Sequence, residues 1–249
     1  GKNSQVKFVE KIQNVKCNSS LTISSTQVNC EKNVHIEYNK IQNNTSKSRL
    51  IDYMNIKQEQ NSVCSVNSLI FGGEFIRNNL NFEQNGINAE SNMNGVSVLN
   101  EKQLADNHTY VDHKSPNCRS NEMYKGVYLD DSKGVFNGKI MVRQNSQKID
   151  AFQSNNNLLL SENAKINSKP QLEIYADDVK CSHGCTIGQL DEKALFYLRS
   201  RGVRLKEAKA LLTYAFASEA INNITIEEIM FLAKKLLASK LNVKLDLSL

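Results

Sequence analysis

Between Val63 and Gly188 the chain alternates short apolar runs with polar breaks and never settles into a helical period. Runs of β type recur at 68–71, 73–76, 80–82, 96–99, 109–111, 127–129, 139–142, 158–160 and 172–175, and Gly, Asn, Asp or Ser interrupts nearly every one. Many short strands with no three-turn amphipathic helix between them argue a mostly β fold: a sandwich, a barrel or a solenoid. The breaks are loose and Asn-rich rather than tight Asn-Gly hairpins, which tilts the choice toward a solenoid. Residues 155–157, three asparagines, are the expected place for a ladder at the turns of consecutive coils. Residues 1–62 are more polar. Alternations at 6–8, 21–23 and 34–38 predict short strands there, and 41–62 reads as a polar loop or insertion.

After Gly188 the period becomes helical. Asp191 is an N-cap and Gly202 a C′ residue for a first helix over 191–201. A second helix, 206–221, has Leu205, Ala208, Leu212, Ala215 and Phe216 as its core face. Thr225 and Glu228 have the spacing of a capping box for a third, whose stripe is Ile229, Met230, Ala233 and Leu237. Residues 241–249 alternate like a strand. The division is thus a β core over 1–188 and a helical domain over 189–249, with the helices expected to cap one end of the solenoid.

Composition narrows the classes. A length of 249 residues suffices for a real core, and with no Trp and 40% apolar residues that core must be aliphatic and Phe-based. Thirty-one basic against 26 acidic residues give a net charge of +5. This excess is spread along the chain and makes no nucleic-acid footprint. No apolar run approaches the ~20 residues that cross a bilayer. The six cysteines, at 17, 30, 64, 118, 181 and 185, contain no CxxC pair. Free thiols in an intracellular reducing compartment are expected.

The densest reactive chemistry lies at 170–202. In an extended strand Val179, Cys181, His183, Cys185 and Ile187 share one face. Thiolate and imidazole suit iron, iron–sulfur clusters and zinc; the competing reading is a core histidine packed between two aliphatics. One histidine with one or two thiols is an incomplete set for a four-coordinate ion, so the missing ligands would come from another chain. In the second cluster, HTYVDH, His108 and Asp112 share a strand face while His113 points the other way. Packing is therefore the simpler role. The pairs Asp130–Asp131 and Asp177–Asp178 cannot act as facing carboxylates, because strand neighbours point to opposite sides. Phosphate-binding glycine loops, G-x-S-x-G and H-E-x-x-H are absent from the sequence.

The stretch ADDVKCSHGCTIGQLDEKALFYLRSRG, with NNNLLL and KPQLEIY before it and YAFA after it, resembles the SufB/SufD family of iron–sulfur cluster assembly scaffolds, on its SufD side. The resemblance is densest over 126–220 and sparser over 72–118. It implies a right-handed parallel β-helix followed by a small α-helical domain. Cys181, Ser182, His183 and Gly184 match the family's C-S-H-G, which makes His183, with Cys181, the candidate interfacial ligand of iron or a nascent cluster. Many members carry Ala where Cys185 stands, so that thiol is not a general requirement. The resemblance also implies a non-catalytic subunit that pairs with a SufB-like protein through the β-helix. It would bind a SufC-like ABC ATPase through the helices, with Tyr197, Arg201, Gly202, Val203 and Ala208 as contact residues. ATP turnover in that partner would expose a buried His183 region for loading. No cofactor is expected to stay bound to the isolated chain, with iron or a cluster held transiently in the complex. In isolation the chain could pair with itself; no nucleic acid or membrane partner is implied. Plastid or apicoplast stroma and bacterial cytoplasm fit equally. SufD-like proteins usually carry a helical region ahead of the β-helix that has no match here, so the chain reads as the core of a longer protein. The alternative, a β-helix hydrolase or lyase of acidic polysaccharide, requires a charged groove and oxidised cysteines.

Overall fold

A computed structural model describes residues 1–13 and 19–242. The strands are, in order, β1 (Gln5–Ile12), β2 (Ser20–Cys30), β3 (His35–Gln42), β4 (Ser48–Gln58), β5 (Val63–Ile70), β6 (Phe75–Gln84), β7 (Glu90–Leu99), β8 (Leu104–His113), β9 (Arg119–Tyr128), β10 (Lys133–Val142), β11 (Ile149–Leu159), β12 (Lys165–Ile174) and β13 (Val179–Gly188). Odd strands make one sheet, β1-β3-β5-β7-β9-β11-β13, and even strands a second, β12-β10-β8-β6-β4-β2. Every pairing is parallel. Each odd strand and the even strand after it form one coil of a parallel β-helix, as the solenoid reading required.

The strands run through and past the short apolar segments in the sequence because half of their inward positions are polar. Along β4, Leu50, Met54 and Ile56 face the lumen in alternation with Ser48, Asp52 and Gln58, and all six are buried. The expected loop over 41–62 is therefore wrong: Ile41 and Gln42 end β3, and β4 fills most of the rest. What makes Asp52 tolerable inside is Lys40, fully buried on β3, whose Nζ lies 2.6 Å from Asp52 Oδ2 and 3.2 Å from Glu10 Oε2.

The asparagine ladder exists, but not at 155–157, which lie within β11. It runs along the corner that precedes the odd strands. There Asn3, Asn33, Asn61 and Asn88 all adopt left-handed backbone, which asparagine tolerates better than other residues with a Cβ. Asn33 Nδ2 donates to Asn3 Oδ1 at 2.8 Å, Asn61 to Asn33 at 3.0 Å, and Asn88 to Asn61 at 3.0 Å.

Three helices follow: α1 (Glu192–Ser200), α2 (Leu205–Ile221) and α3 (Glu227–Lys240). Asp191 caps α1 by accepting the Lys193 amide at 2.8 Å, and Gly202, at φ +88°, ends it in the left-handed region. The helices do not cap an end of the stack. α2 and α3 lie along its flank, where Ala217, Ile221 and Leu237 join Phe71, Val96 and Val127 from the outer face of the odd-strand sheet. The buried face of α2 is Ala208, Thr213, Ala217, Ser218, Ala220 and Ile221; Leu205 and Ala215, expected inside, are exposed. The α3 stripe of Ile229, Met230, Ala233 and Leu237 does pack inward. The capping box does not form: Ile226 is the N-cap, without a side-chain bond. Thr225 instead gives its amide, at 2.9 Å, and its hydroxyl to Glu37 of β3. A carboxylate from the sheet outcompetes Glu228 for Thr225 and fastens the helix pair to the coil. The strand expected over 241–249 lies, but for its first two residues, outside the described residues, as does Cys17.

Candidate functional site

Among the described residues β13 hydrogen-bonds only to β11, and β12 only to β10, which leaves each with a free edge at this end of the stack. The in-register pairing puts Cys181 over Ala151, His183 over Gln153 and Cys185 over Asn155. In β11 those three positions are lumen-facing and buried. One strand further, with no coil above, the same face opens to solvent: His183 and Cys185 are exposed and Cys181 half-buried. The result is a mouth whose other wall is β12, where Ser168, Pro170 and Leu172 stand in register over Phe136, Gly138 and Ile140. The strand alternation read from the sequence holds, but the core-histidine alternative fails: in the chain by itself His183 faces solvent.

The two thiols differ. Cys181 packs with Val179 and Leu172 against Ile140, Val142 and Ala151. Burial first, and the nearby Asp150 carboxylate next, push its thiol up, so it stays protonated at neutral pH unless a metal displaces the proton. Cys185 Sγ donates to Ser168 Oγ at 3.2 Å, and Ser168 passes the chain to Asn155 Oδ1 at 2.8 Å. Asn157 Nδ2 donates to the same oxygen at 2.7 Å. His183 makes no hydrogen bond or ion pair among the described residues, which leaves both ring nitrogens available. No three His, Cys, Asp or Glu side chains converge as a metal site among the described residues. The mouth alone supplies a partial ligand set.

The second cluster is structural. His108 Nε2 lies 2.8 Å from Asp106 Oδ1 on the outer face, and Arg143 grips Asp112 through two bonds of 2.8 and 2.9 Å. His113 points into the lumen beside Ser120 Oγ at 3.0 Å, where burial lowers it to about 4. Asp130 serves a turn by accepting the Glu101 amide at 2.8 Å. The cysteines at 30, 64, 118, 181 and 185 are all free thiols.

On the helices, Tyr197 is exposed, with the Arg201 guanidinium 5.4 Å from its ring centroid, and Gly202 follows. Val203 is half-buried. Ala208 is 0% exposed and cannot touch a partner, because it packs into the inner face of α2. Phe196, the most exposed large apolar residue at 75%, and Leu205 extend the surface instead. α1 fully buries none of its residues: Ala194, Leu195 and Leu198 are half-buried, and Phe196 and Tyr197 are left as an uncovered patch. Other residues that sequence reasoning missed are Ser168, Gln153 and Glu122, polar positions in strands that carry no motif.

The chain matches the family model described as "SUF system FeS cluster assembly, SufBD core domain" over residues 1–216, well beyond the stretch where the resemblance is visible by eye. It is 35% identical over 192 residues to "Iron-sulfur cluster assembly protein SufD" of Escherichia coli (strain K12), covering 77% of this chain and 45% of that protein. An iron–sulfur cluster assembly SufBD family protein of Synechocystis is 38% identical over 170 residues, 68% of this chain and 37% of that one. "Protein ABCI7, chloroplastic" of Arabidopsis thaliana is 31% identical over 204 residues, 82% and 43% respectively. The chain thus spans less than half the length of these relatives. With a parallel β-helix, a C-S-H-G strand at its open end and a matching family model over most of its length, this chain belongs to the SufB/SufD family of iron–sulfur cluster assembly, on its SufD side.

Proposed function

We propose that this chain is a non-catalytic scaffold subunit that helps hold iron or a nascent cluster at the mouth of its β-helix. The observation that carries this reading is the row Cys181–His183 on a strand with an unpaired edge. A free parallel edge with a lumen row open to solvent is a surface that another strand can complete. A SufB-like subunit docking there would supply the missing ligands and bury His183, and iron or the cluster is then cargo shared between two chains. The patch of Phe196, Tyr197 and Leu205, with Arg201, Gly202 and Val203 beside it, is the surface assigned to a SufC-like ATPase. ATP hydrolysis is assigned to that partner. Relatives named for a bacterium and for the chloroplast support a cytoplasmic or plastid setting, and no helix among the described residues is long and apolar enough to cross a membrane.

The test is co-purification of this chain with a SufB-like and a SufC-like protein, followed by ATPase and cluster-assembly assays with His183→Ala. A stable complex whose assembly fails with His183→Ala is the expected result. Unimpaired assembly by the variant would remove His183 from the site, and failure to bind either protein would remove the scaffold reading.

A further inference from the structure

Beneath the mouth the lumen holds two buried side-chain oxygens that accept no well-formed hydrogen bond, the one on Glu122 with the Thr109 hydroxyl nearby. Gln153 and Glu122 are both 0% exposed. Gln153 Nε2 donates to Glu122 Oε2 at 2.6 Å, and this leaves Gln153 Oε1 and Glu122 Oε1 without a hydrogen bond. The strand register sets Gln153 directly under His183 and Glu122 directly under Gln153, at steps of about 4.8 Å. The facing wall gives way at this level: a Cβ on Gly138 would lie 2.2 Å from Gln153 Nε2, so a side chain there would push the amide from its place. Burial holds the Glu122 carboxyl at about 7. Above that pH it is a carboxylate and can only accept, so the Gln153 NH2 must face it and the Gln153 carbonyl oxygen must look elsewhere. A buried acceptor without a donor is costly. The donor one strand away is the imidazole, itself unbonded in the open mouth.

We propose that Gln153 and Glu122 are positioning residues for His183: Glu122 fixes the Gln153 carboxamide, whose Oε1 takes the lumen-side N–H of the imidazole and leaves the other ring nitrogen, with its lone pair, directed out of the mouth. The use of this seat in cluster handling rests on the reading of His183 as a ligand; the seat itself does not. A neutral imidazole is a ligand through one nitrogen only, and the bond made by the other decides which.

The experiment is long-range proton–nitrogen NMR of the histidine-labelled full chain at pH 8, with His183 assigned from His183→Ala. One tautomer of His183 should be enriched about fivefold over the ratio in free histidine. Gln153→Met should erase the enrichment and Glu122→Gln, which still accepts from the amide, should keep it. A free-histidine ratio in the wild type, or the same enrichment in Gln153→Met, overturns the seat. The wild-type spectrum alone is decisive should the Met variant not fold. In the reconstituted complex Gln153→Met should also slow assembly about tenfold. A fixed tautomer together with normal assembly by His183→Ala would leave the seat standing and remove the ligand role. A free tautomer together with failed assembly would do the reverse.

Discussion

At one end of the stack β1 lays Val6, Phe8 and Glu10 over Ile36, Tyr38 and Lys40; at the other β13 lays Cys181, His183 and Cys185 over Ala151, Gln153 and Asn155. Both are outermost strands of the same sheet, and both leave lumen-type positions in solvent. The first end is finished in apolar and ionic packing: Phe8 stacks on Tyr38 with centroids 5.6 Å apart, and Tyr38 donates to Glu10 at 3.0 Å, above the Lys40–Asp52 pair. The second end offers an imidazole, His183, that makes no bond among the described residues, beside a Cys185 thiol held by Ser168. Exposure at the end of a solenoid is therefore not in itself a mark of function; the chemistry of the exposed row is.

The largest way to break this contrast is Lys40→Met. It leaves Asp52 and Glu10 facing each other beneath β1 without a cation, and denaturant titration should show a loss of roughly 3–5 kcal/mol. A change near zero would mean that the first end is as dispensable to stability as the second.

Two buried titrating groups between the ends should come next in size, with opposite signs. Glu122 is raised to about 7 by burial and by no attractive charge. The native state therefore holds a proton that the unfolded chain loses above about 4.5, so stability falls as pH rises from about 4.5 to 7, by about 3 kcal/mol. His113 is lowered to about 4 by burial, against the opposing pull of Asp112. Here the unfolded chain binds the extra proton, so stability falls as pH drops from about 6.5 to 4, again by about 3 kcal/mol. In the wild type the two slopes offset each other between about pH 4.5 and 6.5. Urea midpoints against pH should be nearly flat there, should rise with pH in Glu122→Gln and fall with pH in His113→Gln. Parallel profiles in all three proteins would contradict the burial argument.

Asp191→Ala should cost α1 about 1 kcal/mol, seen as faster amide exchange concentrated in 192–200, because that helix fully buries none of its residues and so spreads little of the effect. Smallest of all should be His183→Ala, within about 0.5 kcal/mol of wild type, because truncating this exposed side chain lets water donate to Gln153 in its place. A residue whose removal leaves stability untouched while assembly fails would mark the second end as built for a partner.

The sequence made the face of β13 legible because side-chain alternation is a property of any strand, and Asp191 and Gly202 were legible because caps need particular side chains. The strand β4 was not, since Asp52 and Gln58 sit inside and disguise the period; they are tolerated only through Lys40, which is remote in sequence. Coil-to-coil periodicity was hidden for a related reason. Register partners such as Gln5–His35, Val63–Glu90 and Asp150–Arg119 are spaced unequally, so no fixed repeat survives in the chain. Ala208 was misread because whether a helix face is covered depends on what packs over it, and the flank position of α2 is a tertiary fact.

The placement of the helix pair along the flank has a kinetic consequence. Thr225 is tied to Glu37 on β3, Asn223 donates to Asn94 on β7, Glu219 holds Lys125 on β9, and Lys240 reaches Gln103 just ahead of β8. These ties bind the middle coils into one cooperative block, whereas among the described residues β13 has the ladder to β11 and a single side-chain bond to β12. In a stack where each coil leans only on its neighbours, opening then starts from the untied end and stops at the splint. The strand that carries His183 should be the first to exchange its amides and the last to lock during folding, and a docked partner would be felt there as a local gain of order rather than as a change in the whole molecule.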